Sequence, residues 1–179
     1  MGWPSFLTGT IRIDKESINQ FLLDTSSTLE QEDYWWLVQD IKHQLDPAVL
    51  TNLRVMGRYP PPPPPNMDME GGKVSIVDDG LKFESVFTKN NRWKVVLDAF
   101  VKYKDKSTFD ILAYRNYGTI SGFWLLSPAD CRFFGDENGN CGDVLKSLME
   151  SFSYDDSITT MNDACMEAIN GLEEKLNSQ

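Results

Sequence analysis

The chain is poor in the residues from which many active sites are built. Its 179 residues hold one histidine, His43, and three cysteines, Cys131, Cys141 and Cys165, with no CxxC pair. Histidine-dependent dyads and triads and His- or Cys-rich zinc centres are therefore not expected. Thiols this sparse and odd in number read as reduced cysteines of a cytoplasm, not as a disulfide frame. Long apolar runs are missing too. Nothing approaches the roughly 18 residues of a membrane span, and the opening MGWPSFLTGT has no basic-then-apolar leader pattern. Basic residues are scarce: 17 Lys and Arg against 27 Asp and Glu leave a net charge of −10. A surface that tracks phosphates needs clustered bases, so direct nonspecific binding to nucleic acid is not expected.

What is present suffices for one domain over residues 1–179. Hydrophobic residues make up 41% and charged residues 25%, ordinary values for a chain that fills a core. The acidity is uneven: residues 81–118 are net +4, whereas residues 130–179 carry 11 acids and 3 bases, net −8. Such a dipolar surface steers association more than it stabilises a fold.

Hydrophobic spacing divides the domain. In residues 1–57, Thr10-Ile11-Arg12-Ile13 is a short strand and Asp14 caps a helix striped by Ile18, Phe21 and Leu22. Ser27-x-x-Glu30 is a capping box for a second helix through Leu45, and Asp46-Pro47 starts a third that Gly57 ends. Residues 58–72 hold six consecutive prolines, Pro60–Pro65, which form a stiff polyproline strap. In residues 73–129, two β-rich runs flank Asp79-Gly80, a pair suited to a type I′ hairpin turn with φ > 0. Trp93, Val96, Leu97 and Phe100 recur at helical spacing, with Lys94, Lys102 and Lys104 on the wet side. Strands over Thr108–Tyr114 and Ile120–Leu126 follow, and Ser127-Pro128 stops the second. Residues 130–179 read as an acidic helical tail with stripes at Val144–Phe152 and Ile158–Leu176. The predicted fold class is α+β: a ferredoxin-like split βαβ antiparallel sheet with one extra edge strand, inserted N-terminal helices and a C-terminal helical pair.

The order Phe83-Glu84-Ser85, Trp93, Leu97-x-x-Phe100-x-x-Tyr103, Thr108–Tyr114 and Gly118-x-x-x-Gly122-Phe123-Trp124 resembles the YubB-type ferredoxin-like domain. That family occurs in proteins of plasmids and phages, so the resemblance implies a mobile-element origin and a ferredoxin-like sheet. It implies no catalytic residue; separately, no cofactor is expected, and the protein is expected to act in the cytoplasm of a host cell.

Three motifs are set aside on chemical grounds. Asp136–Asp143 begins like a calcium loop, but Cys141 stands where a sharp-turn glycine is needed and Ser147 where a bidentate Glu belongs. Gly118–Gly122 lacks the Lys-Ser/Thr of a phosphate-cradling loop. The cysteines have no adjacent base to make a nucleophile. No metal site is therefore expected. The preferred reading is a non-enzymatic protein-binding module, an inhibitor of a host nucleic-acid-binding defence protein (an anti-CRISPR type of role) acting by charge mimicry. The carboxylates of Asp136, Glu137, Asp143, Asp155 and Asp156 are the expected contacts, joined by the rings of Trp35, Tyr114 and Trp124. A small metal-dependent nuclease or nucleotide-modifying enzyme is the alternative. Third is a single-stranded RNA-binding sheet that stacks bases on Tyr114 and Trp124 with Lys82, Lys89, Arg92 and Arg115 nearby.

Overall fold

A computed structural model describes residues 5–25, 29, 37–59, 73–88, 93–116, 119–135 and 158–178. Its elements are β1 (Ser5–Arg12), α1 (Lys15–Thr25), a helical turn at 37–41 leading into a 3-10 turn (Lys42–Gln44), α2 (Pro47–Val55), β2 (Lys73–Val77), β3 (Gly80–Thr88), α3 (Trp93–Val101), β4 (Asp110–Asn116), β5 (Thr119–Leu126), β6 (Cys131–Gly135) and α4 (Ile158–Asn177). The architecture is α+β, with six strands in one open sheet of order β2-β3-β1-β4-β5-β6. Every neighbouring pair is antiparallel. It follows that β1 and β2 run the same way with β3 between them, and β3 and β4 the same way with β1 between them.

Local chemistry starts the elements where the residues suggest. The Asp14 carboxylate accepts the free Ser17 N–H at 2.7 Å and so caps α1. Proline occupies the first turn of α2, where its missing N–H costs nothing. The capping box, the polyproline run, the Asp136–Asp143 loop and the Val144–Phe152 stripe lie outside the described residues.

Three expectations are corrected. First, the sheet has two strands beyond β4, not one. Ser127-Pro128 turns the chain: Ser127 N–H donates to the Asp130 carbonyl at 2.8 Å, and Asp130 N–H returns to Ser127 Oγ at 3.0 Å. Cys131–Gly135 then pairs along β5, with Trp124 opposite Phe133. Second, Val77 pairs with Gly80, so the hairpin loop is Asp78-Asp79, and Gly80 already belongs to β3 without a positive φ. Glycine is required there by proximity, since a Cβ would lie 2.0 Å from the Ile11 carbonyl oxygen of β1. Third, Lys104 does not face water. It follows α3 and is buried, and its ammonium ion lies 3.1 Å from the fully buried Asp110 carboxylate. The carbonyls of Asp105 and Thr108 take its remaining protons.

The sheet is covered on both faces, but unequally. On the first, Leu7, Ile11, Leu81, Phe83 and Leu112 meet Ile18, Phe21 and Leu22 of α1 and Val96, Leu97 and Phe100 of α3. Phe21 stacks on Phe100 with centroids 4.0 Å apart. On the second, a smaller cluster joins Ile111, Ala113 and Phe123 to Cys165, Ile169 and Leu172 of α4. The β2 edge is closed by side chains. Asp40 accepts Val74 N–H at 2.9 Å, and the Gln44 amide bonds both the Ile76 N–H at 2.9 Å and the Ile76 carbonyl at 2.8 Å. A carboxamide thus does the work of a neighbouring strand and blocks edge-to-edge pairing.

Candidate functional site

The amphipathic spacing of α4 sorts its residues into two roles. Cys165, Ile169 and Leu172 are buried against the sheet, whereas Asp163, Glu167 and Glu174 are exposed. Offsets of four and eleven residues bring the three carboxylates within about 40° of one another around the helix axis. Like charges four residues apart on a helix repel by a few tenths of a kcal/mol, so helix stability does not account for this spacing. These residues were not singled out in the sequence. The signal that finds them is their helical phase opposite the buried stripe.

Polar contacts from β1 hold α4 at both ends. At one end Thr8 Oγ1 donates to Asn162 Oδ1 at 3.0 Å. At the other the Arg12 guanidinium pairs with the Glu173 carboxylate. Thr8 to Arg12 spans about 13 Å of strand, and Asn162 to Glu173 about 16 Å of helix. The helix therefore follows β1 in the same direction.

The Asn162 end rests on an irregularity in β3. Leu7 pairs with Val86 and Gly9 with Phe83, so Glu84 and Ser85 together oppose Thr8, a β-bulge. Ser85 has φ 50°, in the left-handed region that a non-glycine residue enters at a cost on the order of 1–3 kcal/mol. Hydrogen bonds hold it there. Its N–H donates to Thr8 Oγ1 at 3.2 Å, its hydroxyl donates to Asn162 Oδ1, and Arg115 Nη2 donates to its Oγ. Arg115 is buried, lies over the Phe6 ring at 5.1 Å, and is pulled below its ordinary pKa by loss of water. With its proton committed to an amide oxygen, the Ser85 hydroxyl is arranged as a latch and not as a nucleophile. Burial likewise pushes the Cys131 and Cys165 thiols up to about 12, which keeps them protonated and unreactive.

Of the residues singled out in the sequence, Trp35, Asp136, Glu137, Asp143, Asp155 and Asp156 lie outside the described residues. Tyr114 and Trp124 do share a face, as their neighbouring strands suggest, but that face is the large core. Phe133 brings them together, edge-on to Tyr114 at 5.4 Å and tilted against Trp124 at 5.0 Å. Trp124 is only 8% exposed, so its ring is a core side chain and not a surface contact; Tyr114 is half-buried. Lys82 and Arg115 point to the opposite side of the sheet from these rings. Lys82 pairs with Glu84 at 3.4 Å, and Arg115 is enclosed beside Cys165. Rings and bases that would have to act together on a nucleic acid are thus separated by the sheet; Lys89 and Arg92 lie outside the described residues.

His43 is exposed on the 3-10 turn. Among the described residues no group of three or more His, Cys, Asp or Glu side chains is placed to hold a metal ion, and no helix is long and apolar enough to cross a membrane. Asp130, the first acid of the C-terminal segment, is held below the usual carboxylate range by hydrogen bonds from Ser127 and Arg132. Comparison of the chain with protein-family models, with curated proteins and with solved structures finds no match.

Proposed function

We propose that this chain is a non-enzymatic, acidic protein-binding module whose partner is a basic protein that otherwise holds nucleic acid. The observation that carries the reading is the outer face of α4. Asp163, Glu167 and Glu174 stand exposed on one side of a helix whose other side is anchored to the sheet. Carboxylates on a rigid element substitute for the phosphates that Lys/Arg clefts are built to receive. The segment from residue 130 onward, at net −8, extends the same charge, and Asp136, Glu137, Asp143, Asp155 and Asp156 belong to it.

The strand order β2-β3-β1-β4 around α1 and α3 supports assigning this part to a ferredoxin-like split βαβ core, with β5 and β6 as additions. An origin in a phage or other mobile element, and inhibition of a host defence protein in the host cytoplasm, rest on the YubB-type resemblance and are proposed with it.

The test is affinity capture of the tagged chain from nuclease-treated lysate, repeated as salt is raised and with the variant Asp163→Lys/Glu167→Lys/Glu174→Lys. Rim charges are screened over about 8–10 Å at physiological ionic strength. Capture should therefore weaken steeply with salt, and the charge-reversed variant should bind about tenfold or more weakly. A partner held equally by both proteins, or indifferent to salt, would rule the reading out.

A further inference from the structure

Beside the Arg12 end of α4 the structure contains a cavity of about 210 Å³ between the helix, β1, β4 and the Asp78-Asp79 turn. We propose that this cavity receives a lysine side chain of the protein partner. The inference rests on the function proposed above and names the chemical group that the module takes in.

The walls divide by chemistry. Ile111, Met166 and Ile169 supply an apolar side, while Thr10, Asp79 and Glu173 supply oxygen acceptors. A lysine matches both halves: its four-carbon stem lies along apolar surface while its ammonium group, a compact charge with three donors, reaches the oxygens. The volume corresponds to roughly seven water molecules at about 30 Å³ each, enough for such a stem and its head.

Charge decides the sign of the occupant. Arg12 also lines the cavity, which at first suggests an anion. Its charge is already matched, however. Arg12 Nε lies 2.9 Å from Asp110 Oδ1, its Nη2 pairs with Glu173, and Asp110 Oδ2 is taken by Lys104 at 3.1 Å. Two cations and two carboxylates form a neutral set. The carboxylate of Asp79 remains, exposed on its turn and without a side-chain partner among the described residues. The lined space is therefore net −1. An arriving carboxylate or phosphate meets uncompensated negative charge, whereas an ammonium ion neutralises it beside Asp79 and Glu173. Arg12 then acts as the positioning residue that fixes Glu173 at the rim.

The experiment is a two-dimensional amide NMR titration of the full chain with Nα-acetyl-lysine methylamide. Nα-acetyl-norleucine methylamide, which keeps a stem but lacks the ammonium, and Nα-acetyl-arginine methylamide serve as parallel probes. The expected result is saturable shifts at the amides of Asp79, Ile111, Ile169 and Glu173 with the lysine probe, weaker ones with arginine and none with norleucine. Asp79→Asn should weaken lysine binding about fivefold, the scale of one partly exposed ion pair. No saturation at these amides, equal binding of norleucine, or no effect of Asp79→Asn would each overturn the proposal. The two readings fail separately: salt-indifferent capture, or equal capture by the triple α4 variant, ends the function proposed above, whereas saturable lysine binding that Asp79→Asn weakens is read on the chain alone and needs no partner.

Discussion

The two faces of the sheet are built on different principles. Under α1 and α3 the contact is mainly apolar, and Phe21, Phe83 and Phe100 interlock in stacked and edge-on pairs. Under α4 the apolar cluster is small, and the helix is set by polar contacts at Thr8, Ser85 and Arg12. Apolar burial scales with area and is indifferent to direction, whereas hydrogen bonds and ion pairs are modest in net energy but fix geometry. The first face thus supplies most of the stability. The second supplies position, and it is the one that carries the exposed carboxylates and the cavity.

The comparison can be broken by substitution, and the largest effect belongs to the first face. Phe100→Ala removes a fully buried ring stacked on Phe21 and should destabilise by about 3–5 kcal/mol in denaturant unfolding. Loss below about 1 kcal/mol would mean that the first face is not the main core. Next is Asp110→Ala, which strips the buried Lys104 of its counter-charge and Arg12 of its Nε acceptor. About 3 kcal/mol is expected, the lower end for a broken buried pair, because Lys104 keeps two carbonyl acceptors. A nearly neutral outcome would show that Lys104 reaches solvent when unpaired.

Smaller effects sharpen the contrast on the α4 side. Leu172→Ala should destabilise by about 2 kcal/mol. Hydrogen exchange should then quicken along α4 while the amides of β1 and β3 stay protected; uniform acceleration would mean that α4 unfolds only with the whole. Asn162→Ala should cost about 1 kcal/mol, through the lost acceptor of Thr8 and Ser85. Its informative readout is a shift in the Ser85 amide resonance as the bulge relaxes. Least visible near neutral pH are the thiols. The folded values of Cys131 and Cys165 are raised from 9.0 to about 12, so protonated thiols favour the folded state. That contribution is fully present below pH 9 and is lost as pH rises from 9 toward 12. Alkylation followed site by site should find both slow in the native protein at pH 8 and fast in denaturant. Rapid native alkylation of Cys165 would show that α4 lifts from the sheet.

Much of the architecture was legible because local patterns carry it. The Ile18–Leu22 stripe behind Asp14 and the Val96–Phe100 stripe appear where periodicity puts them, and the hairpin loop lies one residue before the expected turn pair. β6 was missed because Ser127-Pro128 reads as a stop, although the alternation of Cys131 and Phe133 with Arg132 was available as a strand signal. The reason for Gly80 was misread, since a glycine that prevents a clash looks the same in sequence as one that enables a turn. Lys104 was put in water because its place after the last turn of α3 is not visible from helical phase alone. The left-handed Ser85 has no sequence signal, being imposed by Thr8, Arg115 and Asn162 from elsewhere in the chain.

By itself the sequence determined the class of the fold, the stripes that make its core and the sign of its charge, because each of these follows from neighbours within one or two turns. Only the tertiary structure decided which face α4 covers, that Trp124 is core, and that Arg12, Asp110, Lys104 and Glu173 form one neutral set beside a cavity. Arg12 and Asp110 are 98 residues apart. Their pairing follows from β1 lying beside β4, a choice made by the whole sheet and by no local stretch of it.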